Sequence, residues 1–252
     1  MDEARFHGLL TGAMFVVAAG ALVWSRFATA PYGRYARPWW SGPDLPSRLA
    51  WFLMELPQPV GFLICFGLRH RPAGTGALAL LGMWIFHYVY RTLVYPFVPR
   101  GSAMSLSVVA MGFTLNSGFS YLNGRWLFAL GPDRGADWLF DPRFLGGAVL
   151  FFGGWVLAVS SDLILRRLRR PGERGYRIPC GGGFRFVTAP NYLGELTMWT
   201  GWTLATWSLA GATILAVSAA NLVPRAARNH RWYRERFSDY PAERRRLLPW
   251  IW

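Results

Sequence analysis

The chain has 252 residues, of which 53% are hydrophobic and 17% aromatic, with 14 tryptophans and only 16% charged residues. That is a membrane composition, and it excludes a soluble enzyme domain and a disordered chain. The net charge of +14 comes entirely from arginine, there being no lysine, and it does not make a nucleic-acid binder, because the apolar remainder has nowhere to go except lipid.

In chain order, apolar runs cover residues 8 to 24, 49 to 68, 74 to 98, 101 to 122, 144 to 165 and 191 to 223. Each of the first five matches the ~20 residues a helix needs to cross ~30 Å of hydrocarbon. The last, at 33 residues, is long for one span and slightly short for two, but "WSLAG" in its middle can turn a tight hairpin. Seven spans are therefore predicted in one domain of residues 1 to 252. The first run is followed by "ATA", as in a secretory signal, yet "MDEAR" lacks the positive start such signals use, so a retained helix is predicted.

Seven arginines lie between Arg166 and Arg185 and eight between Arg225 and Arg246. Both segments should be cytoplasmic. Seven spans with the N-terminus outside satisfy this and put the C-terminus in the cytoplasm. The stretch from 123 to 143, with three Arg against three Asp, falls outside; only "RHR" at 69 to 71 dissents. Cys65 and Cys180 have neither disulfide nor metal spacing. No metal site, internal repeat or second soluble domain is indicated.

Charges inside such runs are functional candidates by default, since each costs at least ~2.5 to 3.5 kcal/mol near the bilayer centre. Glu55 stands in "WFLMELPQP", where Pro57 and Pro59 break the helix and free carbonyls that must face protein or a cavity. Arg91 stands in "FHYVYRTLVYP", three and four residues from Tyr88 and His87. Glu55 paired with Arg91 is one reading; a carboxyl and a phenol together gripping a carbonyl oxygen is the other. Tyr88 alone would also suit an interfacial belt. Asp162 lies one turn before Arg166 and just ahead of "RRLRRPGERGYRIPCGGGFRFV". Arginine forks and glycines there suit a ligand with several phosphates, though topology alone also asks for arginines after a span. Asn191 and Glu195 sit on one helical face. The C-terminal "HRWYRERFSDYPAERRRLLPW" could lie on anionic lipid.

Together "WFLMELP", "HYVYRTLVYP", "SDLILRRLRRPGERGYRIPCGG", "NYLGELTMWTGWTLATWSL" and the C-terminal segment resemble the steroid 5-alpha-reductase family from about Trp51 to Trp252. The resemblance implies an all-α integral membrane enzyme of seven helices that takes hydride from NADPH and reduces the 4,5 double bond of a 3-oxo-4-ene steroid. It assigns Glu55 and Tyr88 to the 3-keto oxygen, Arg91 to the support of that site and Trp51 to the pocket wall. Asp162, Arg169, Tyr176, Arg177, Asn191, Glu195 and Tyr233 match cofactor-contacting positions, mainly within 158 to 252, while the early spans form the substrate pocket. Met54 stands where relatives commonly have Gln, and Asn229 where they often have His, leaving His230 as the nearest imidazole for the cofactor.

Preference for NADPH is expected from arginines that can pair with the 2′-phosphate. Partners are then a steroid or sterol-like lipid and membrane lipid, with no nucleic acid. A monomer is expected, in a bacterial inner membrane. The competing readings are an S-adenosylmethionine-dependent methyltransferase of lipid or prenylcysteine, which would not need "WFLMELP" or "HYVYRT", and a non-catalytic sterol-binding protein.

Overall fold

With water excluded, an apolar run satisfies its backbone only by bonding to itself, and helix is accordingly almost the only regular structure among the described residues. The computed structural model describes residues 1–28, 42–97, 103–168 and 175–252. Helix α1 spans Glu3–Trp24, α2 Ser47–Glu55, α3 Pro57–Gly67, α4 Thr75–Val89, α5 Leu106–Arg125, α6 Pro142–Arg167, α7 Pro190–Thr206 and α8 Leu209–Arg236. A two-residue antiparallel ladder, β1 (Asp44–Leu45) with β2 (Met104–Ser105), ties the start of α2 to the start of α5.

Five helical stretches among the described residues are long and apolar enough to cross a membrane: Glu3–Trp24, Ser47–Gly67, Thr75–Phe97, Pro142–Arg167 and Leu209–Arg236. The two others of the seven predicted spans differ for visible reasons. α5 interrupts its apolar residues with Ser107, Asn116, Ser117, Ser120 and Asn123, and α7 has 17 residues, short of the ~20 a span needs. The 191 to 223 run does divide at "WSLAG". Trp207 takes a left-handed conformation (φ 43°, ψ 53°) that ends α7, and the Ser208 hydroxyl accepts from the Gly211 amide at 2.9 Å to start α8. The last carbonyls of α7 are bonded by the loop before α6, Thr206 by Arg134 and Ala205 by the Trp138 indole at 3.0 Å.

α6 and α7 form the most intimate pair, because glycines face glycines. A Cβ on Gly194 would lie 2.6 Å from the Gly154 carbonyl oxygen and run into the Ala158 backbone. A Cβ on Gly201 would lie 2.5 Å from the Gly147 carbonyl. Small residues let backbones touch where lipid offers no hydrophobic driving force. Asp141 caps α6, accepting from the Arg143 amide at 2.8 Å. The Arg143 side chain bonded to it holds its carboxyl down at about 2, so the cap is charged at neutral pH.

On the opposite side α1 is fixed by Arg125, which bonds both Glu3 oxygens (2.6 and 2.8 Å) and the Leu68 carbonyl (3.2 Å). Between these layers runs an aromatic column: Phe62 stacks on Trp84 at 4.4 Å, and Trp84 meets Trp202 at 4.8 Å and Tyr88 at 4.9 Å. The two indoles of this column are satisfied, Trp202 donating to Asn123 (2.8 Å) and Trp84 to the Gln58 carbonyl (3.2 Å). This column packs directly behind Tyr88.

Candidate active site

Two local defects in helical hydrogen bonding position the charges. The first is the break between α2 and α3. Pro59 has no N–H for the Glu55 carbonyl four residues back, so that oxygen takes the Thr92 hydroxyl instead, at 3.5 Å. The neighbouring Met54 carbonyl accepts from the Asn116 amide at 2.6 Å. The second defect is a widened π turn over Tyr90–Val94 at the end of α4, a feature that clusters at functional sites. It carries Arg91.

Across these defects Arg91 Nε donates to Glu55 Oε1 at 2.8 Å, with the side chains 18% and 9% exposed. The guanidinium lies 4.0 Å from the Tyr95 ring and 5.0 Å from Trp51. A flat cation between two aromatic faces and a carboxylate is held in one orientation. The ion pair weighed from sequence is therefore present, and its place at the edge of a large cavity is what matters for chemistry.

That cavity, about 500 Å³, is lined by Trp51, Glu55, Arg91, Asp162, Asn191 and Glu195, and also by Tyr176, Arg177 and Tyr233. Its volume is in the range of small-molecule sites. One wall is apolar and rich in thioethers, with Met54, Met104, Val108 and Met111 beside Gly112, where a Cβ would come within 2.7 Å of the Met54 sulfur. The opposite wall is polar. Asn191 Nδ2 donates to Asp162 Oδ1 at 3.0 Å, joining α7 to α6, and Glu195 lies one turn along α7. Arg166, Arg177 and Arg225 line this side, and Arg225 Nε donates to the Tyr192 hydroxyl at 3.0 Å.

Tyr88 belongs to a second, smaller cavity of about 140 Å³, which shares Glu55, Arg91, Asp162 and Glu195 with the first. It is 3% exposed and packed against Trp84 and Trp199. His230 lines neither cavity; its Nδ1 is 2.6 Å from the Thr188 hydroxyl, which also meets the Tyr240 hydroxyl at 2.7 Å. Arg169 lies outside the described residues. Of the twelve residues singled out from sequence, nine line the larger cavity and Tyr88 its neighbour.

Sequence reasoning missed Tyr95, Asn116, Tyr192 and Arg225 as parts of this site. Tyr95 and Tyr192 look like ordinary aromatic residues of a membrane chain, and Arg225 is hidden among arginines that topology already explains. Asn116 had a usable signal, an amide in the middle of the apolar "MGFTLNSGF".

The model of the family described as 3-oxo-5-alpha-steroid 4-dehydrogenase matches residues 101–252. The chain is 40% identical over 257 residues to 3-oxo-5-alpha-steroid 4-dehydrogenase 1 of Rattus norvegicus, covering 100% of this chain and 97% of the rat protein. It is 42% identical over 240 residues to the Mus musculus protein of the same name, covering 92% and 91%. Similarity extends to plants: steroid 5-alpha-reductase DET2 of Gossypium hirsutum is 36% identical over 259 residues, covering 100% of this chain and 99% of that protein. With such identity along the full length, the chain belongs to the 3-oxo-5-alpha-steroid 4-dehydrogenase family of oxidoreductases.

Proposed function

We propose that this protein reduces the 4,5 double bond of a 3-oxo-4-ene steroid with NADPH as reductant. What carries the reading is one cavity in which an apolar wall beside Glu55 and Arg91 faces a polar wall of Asp162, Asn191 and Glu195. The first suits a flat lipid with a single ketone; the second offers acceptors and an amide for a carboxamide and ribose hydroxyls. Arg166, Arg177 and Arg225 supply cations for phosphates on the same side. The residues present thus fit a phosphorylated dinucleotide, with Asp162, Asn191, Glu195, Tyr176, Arg177 and Tyr233 as its holders and Arg169 as a further cation for the 2′-phosphate. His230, engaged with Thr188, is left out of that set.

When bound, NADPH would supply a hydride to C5 of the steroid. The protein's own part is electrostatic. Glu55, ion-paired with Arg91 before substrate binds and taking up a proton with the ketone, donates together with Tyr88 to the ketone oxygen and stabilises the charge that develops there. Arg91, pinned by Trp51 and Tyr95, keeps Glu55 oriented through Oε1 and leaves Oε2 for the substrate. Trp51 and the methionines exclude water from the steroid's flat faces.

We further propose seven spans, the five long helices together with α5 and α7, with an external N-terminus and a cytoplasmic C-terminus. Under that arrangement the cavity opens among helix ends on the cytoplasmic side: the beginnings of α2, α5 and α7, and the ends of α4, α6 and α8. NADPH would enter there, between the two arginine-rich segments. The full-length relatives are named as oxidoreductases, which favours this reading over a methyltransferase or a passive sterol binder. Adding progesterone or testosterone to purified protein should cause loss of NADPH absorbance and appearance of the 4,5-dihydro product, with NADH a poorer donor. Absence of turnover with either steroid would overturn the reading.

A further inference from the structure

The smaller cavity has a feature that reduction of a ketosteroid does not by itself explain. Three residues lining it carry a buried polar atom with no hydrogen-bond partner among the described residues: Gln58 Oε1, His87 Nδ1 and Trp155 Nε1. Gln58 is fully buried and His87 is 7% exposed. The Gln58 amide cannot flip to cure its own deficit. Its Nε2 donates to Asn116 Oδ1 at 2.8 Å, and Asn116 Nδ2 in turn donates to the Met54 carbonyl, which can only accept. So Gln58 presents an acceptor, Trp155 a donor, and His87 Nδ1 either, according to tautomer. Orphaned polar atoms in an interior are rare and costly, and buried water is their usual partner. A space of about 140 Å³ has room for about four water molecules at ~30 Å³ each.

We propose that this cavity is an internal water site that returns protons to Tyr88, with His87 as the relay group. The inference rests on the reductase reading above. Tyr88 lines the water side, while Glu55, Arg91, Asp162 and Glu195 form the wall shared with the substrate chamber. Reduction of the enone takes up one hydride and one proton. As hydride adds at C5, the electron pair moves to the ketone oxygen, the Tyr88 O–H bond breaks and an enol O–H forms. The phenolate then takes a proton from a cavity water. That water is restored through the His87 imidazole and the waters reaching past Asp162 and Glu195 to solvent. When the enol tautomerises, its O–H proton is released to water as C4 gains one, so a single solvent proton is consumed per turnover.

Two measurements on the full-length protein test this. An experimental structure fine enough to resolve water should show ordered solvent bonded to Gln58 Oε1, His87 Nδ1 and Trp155 Nε1; a dry cavity overturns the proposal whatever the activity. In kinetics, His87→Phe should lower kcat about a hundredfold, the lower end for a positioned proton-transfer group, with KM for both substrates within about twofold. Its solvent deuterium isotope effect on kcat should rise as the effect from deuterated NADPH fades, and His87→Asn, which can hold a water near the Nδ1 position but cannot carry a proton, should stay as slow as His87→Phe. A His87→Phe enzyme with wild-type kcat and isotope effects overturns the relay. If that variant does not fold, Gln58→Met and Trp155→Phe each remove one partner of the water and should raise the solvent isotope effect; unchanged values overturn the relay equally. A wild type that reduces no 3-oxo-4-ene steroid would sink the parent reading and the relay, while the solvent density decides the water site alone.

Discussion

At the scale of single residues, the centre of the site is a cation and a carboxyl withdrawn from water. Breaking a buried pair by removing one partner costs about 3–5 kcal/mol because the other charge is stranded, so Arg91 holds the fold as well as Glu55. Tyr88 is different: its ring packs in the aromatic column, and only its hydroxyl is free to serve chemistry. Tyr88→Phe should therefore leave thermal unfolding close to wild type and lower kcat at least a hundredfold, the loss of one oxyanion donor being worth ~2.7 to 4 kcal/mol. Glu55→Gln should lower kcat as much. Steady-state rates near wild type in both variants would contradict their assigned role. Glu55 and Arg91 stood out in the sequence because a charge in an apolar run has few innocent explanations, whereas the role proposed for Tyr88 came through the family resemblance. His230 stands apart: it was singled out by its nearness in sequence to Asn229, and nearness along a helix does not decide which way an imidazole turns. It turns to Thr188.

At the scale of elements, the chain uses irregularity to aim side chains. Pro57 and Pro59 announce the α2–α3 break in the sequence, and "WSLAG" announces the α7–α8 hairpin. The π turn at Tyr90–Val94 has no such signal, since nothing in "YRTLV" forbids an ordinary helix; tertiary contacts through Arg91 and Thr92 select it. The α6–α7 seam was equally silent, because a glycine that meets another backbone and a glycine that faces lipid read alike in an apolar run. The structure separates them. Gly194→Val would drive its side chain into Gly154 and Ala158, whereas Gly153 has nothing within 4 Å of the position a Cβ would take. Gly194→Val should cost more than the ~1–3 kcal/mol usual for overpacking, since the obstacle is backbone, and should abolish the folded, detergent-stable protein. Gly153→Val should express and unfold like wild type. Equal behaviour of the two in a thermal-shift assay would mean that the seam is not packed as described.

At the scale of the molecule, alternation of helix direction brings six helix ends to one cavity, and under the proposed topology the arginine distribution would turn that cavity toward the cytoplasm. Composition made the membrane legible at once, and charge segregation made the orientation an expectation. The meeting of residues as distant as Trp51 and Tyr233 was not legible from spacing, because it depends on which spans are neighbours; it entered through family resemblance. Orientation can be read with the protein's own cysteines, Cys180 being exposed and Cys65 buried. In sealed cells an impermeant maleimide should label neither, and after permeabilisation it should label Cys180 alone. Labelling of Cys180 in sealed cells would invert the topology and separate the cofactor from its proposed entrance.

The central claim is that the ketone-gripping wall and the cofactor-binding wall serve one reaction in one chamber. It is tested most directly by giving purified protein NADPH carrying deuterium at the transferable position of the nicotinamide, together with progesterone, and locating the label in the product by NMR. One deuterium at C5 on the alpha face, lost along with the product in Tyr88→Phe, is the predicted result; a product unlabelled at C5 would contradict the account.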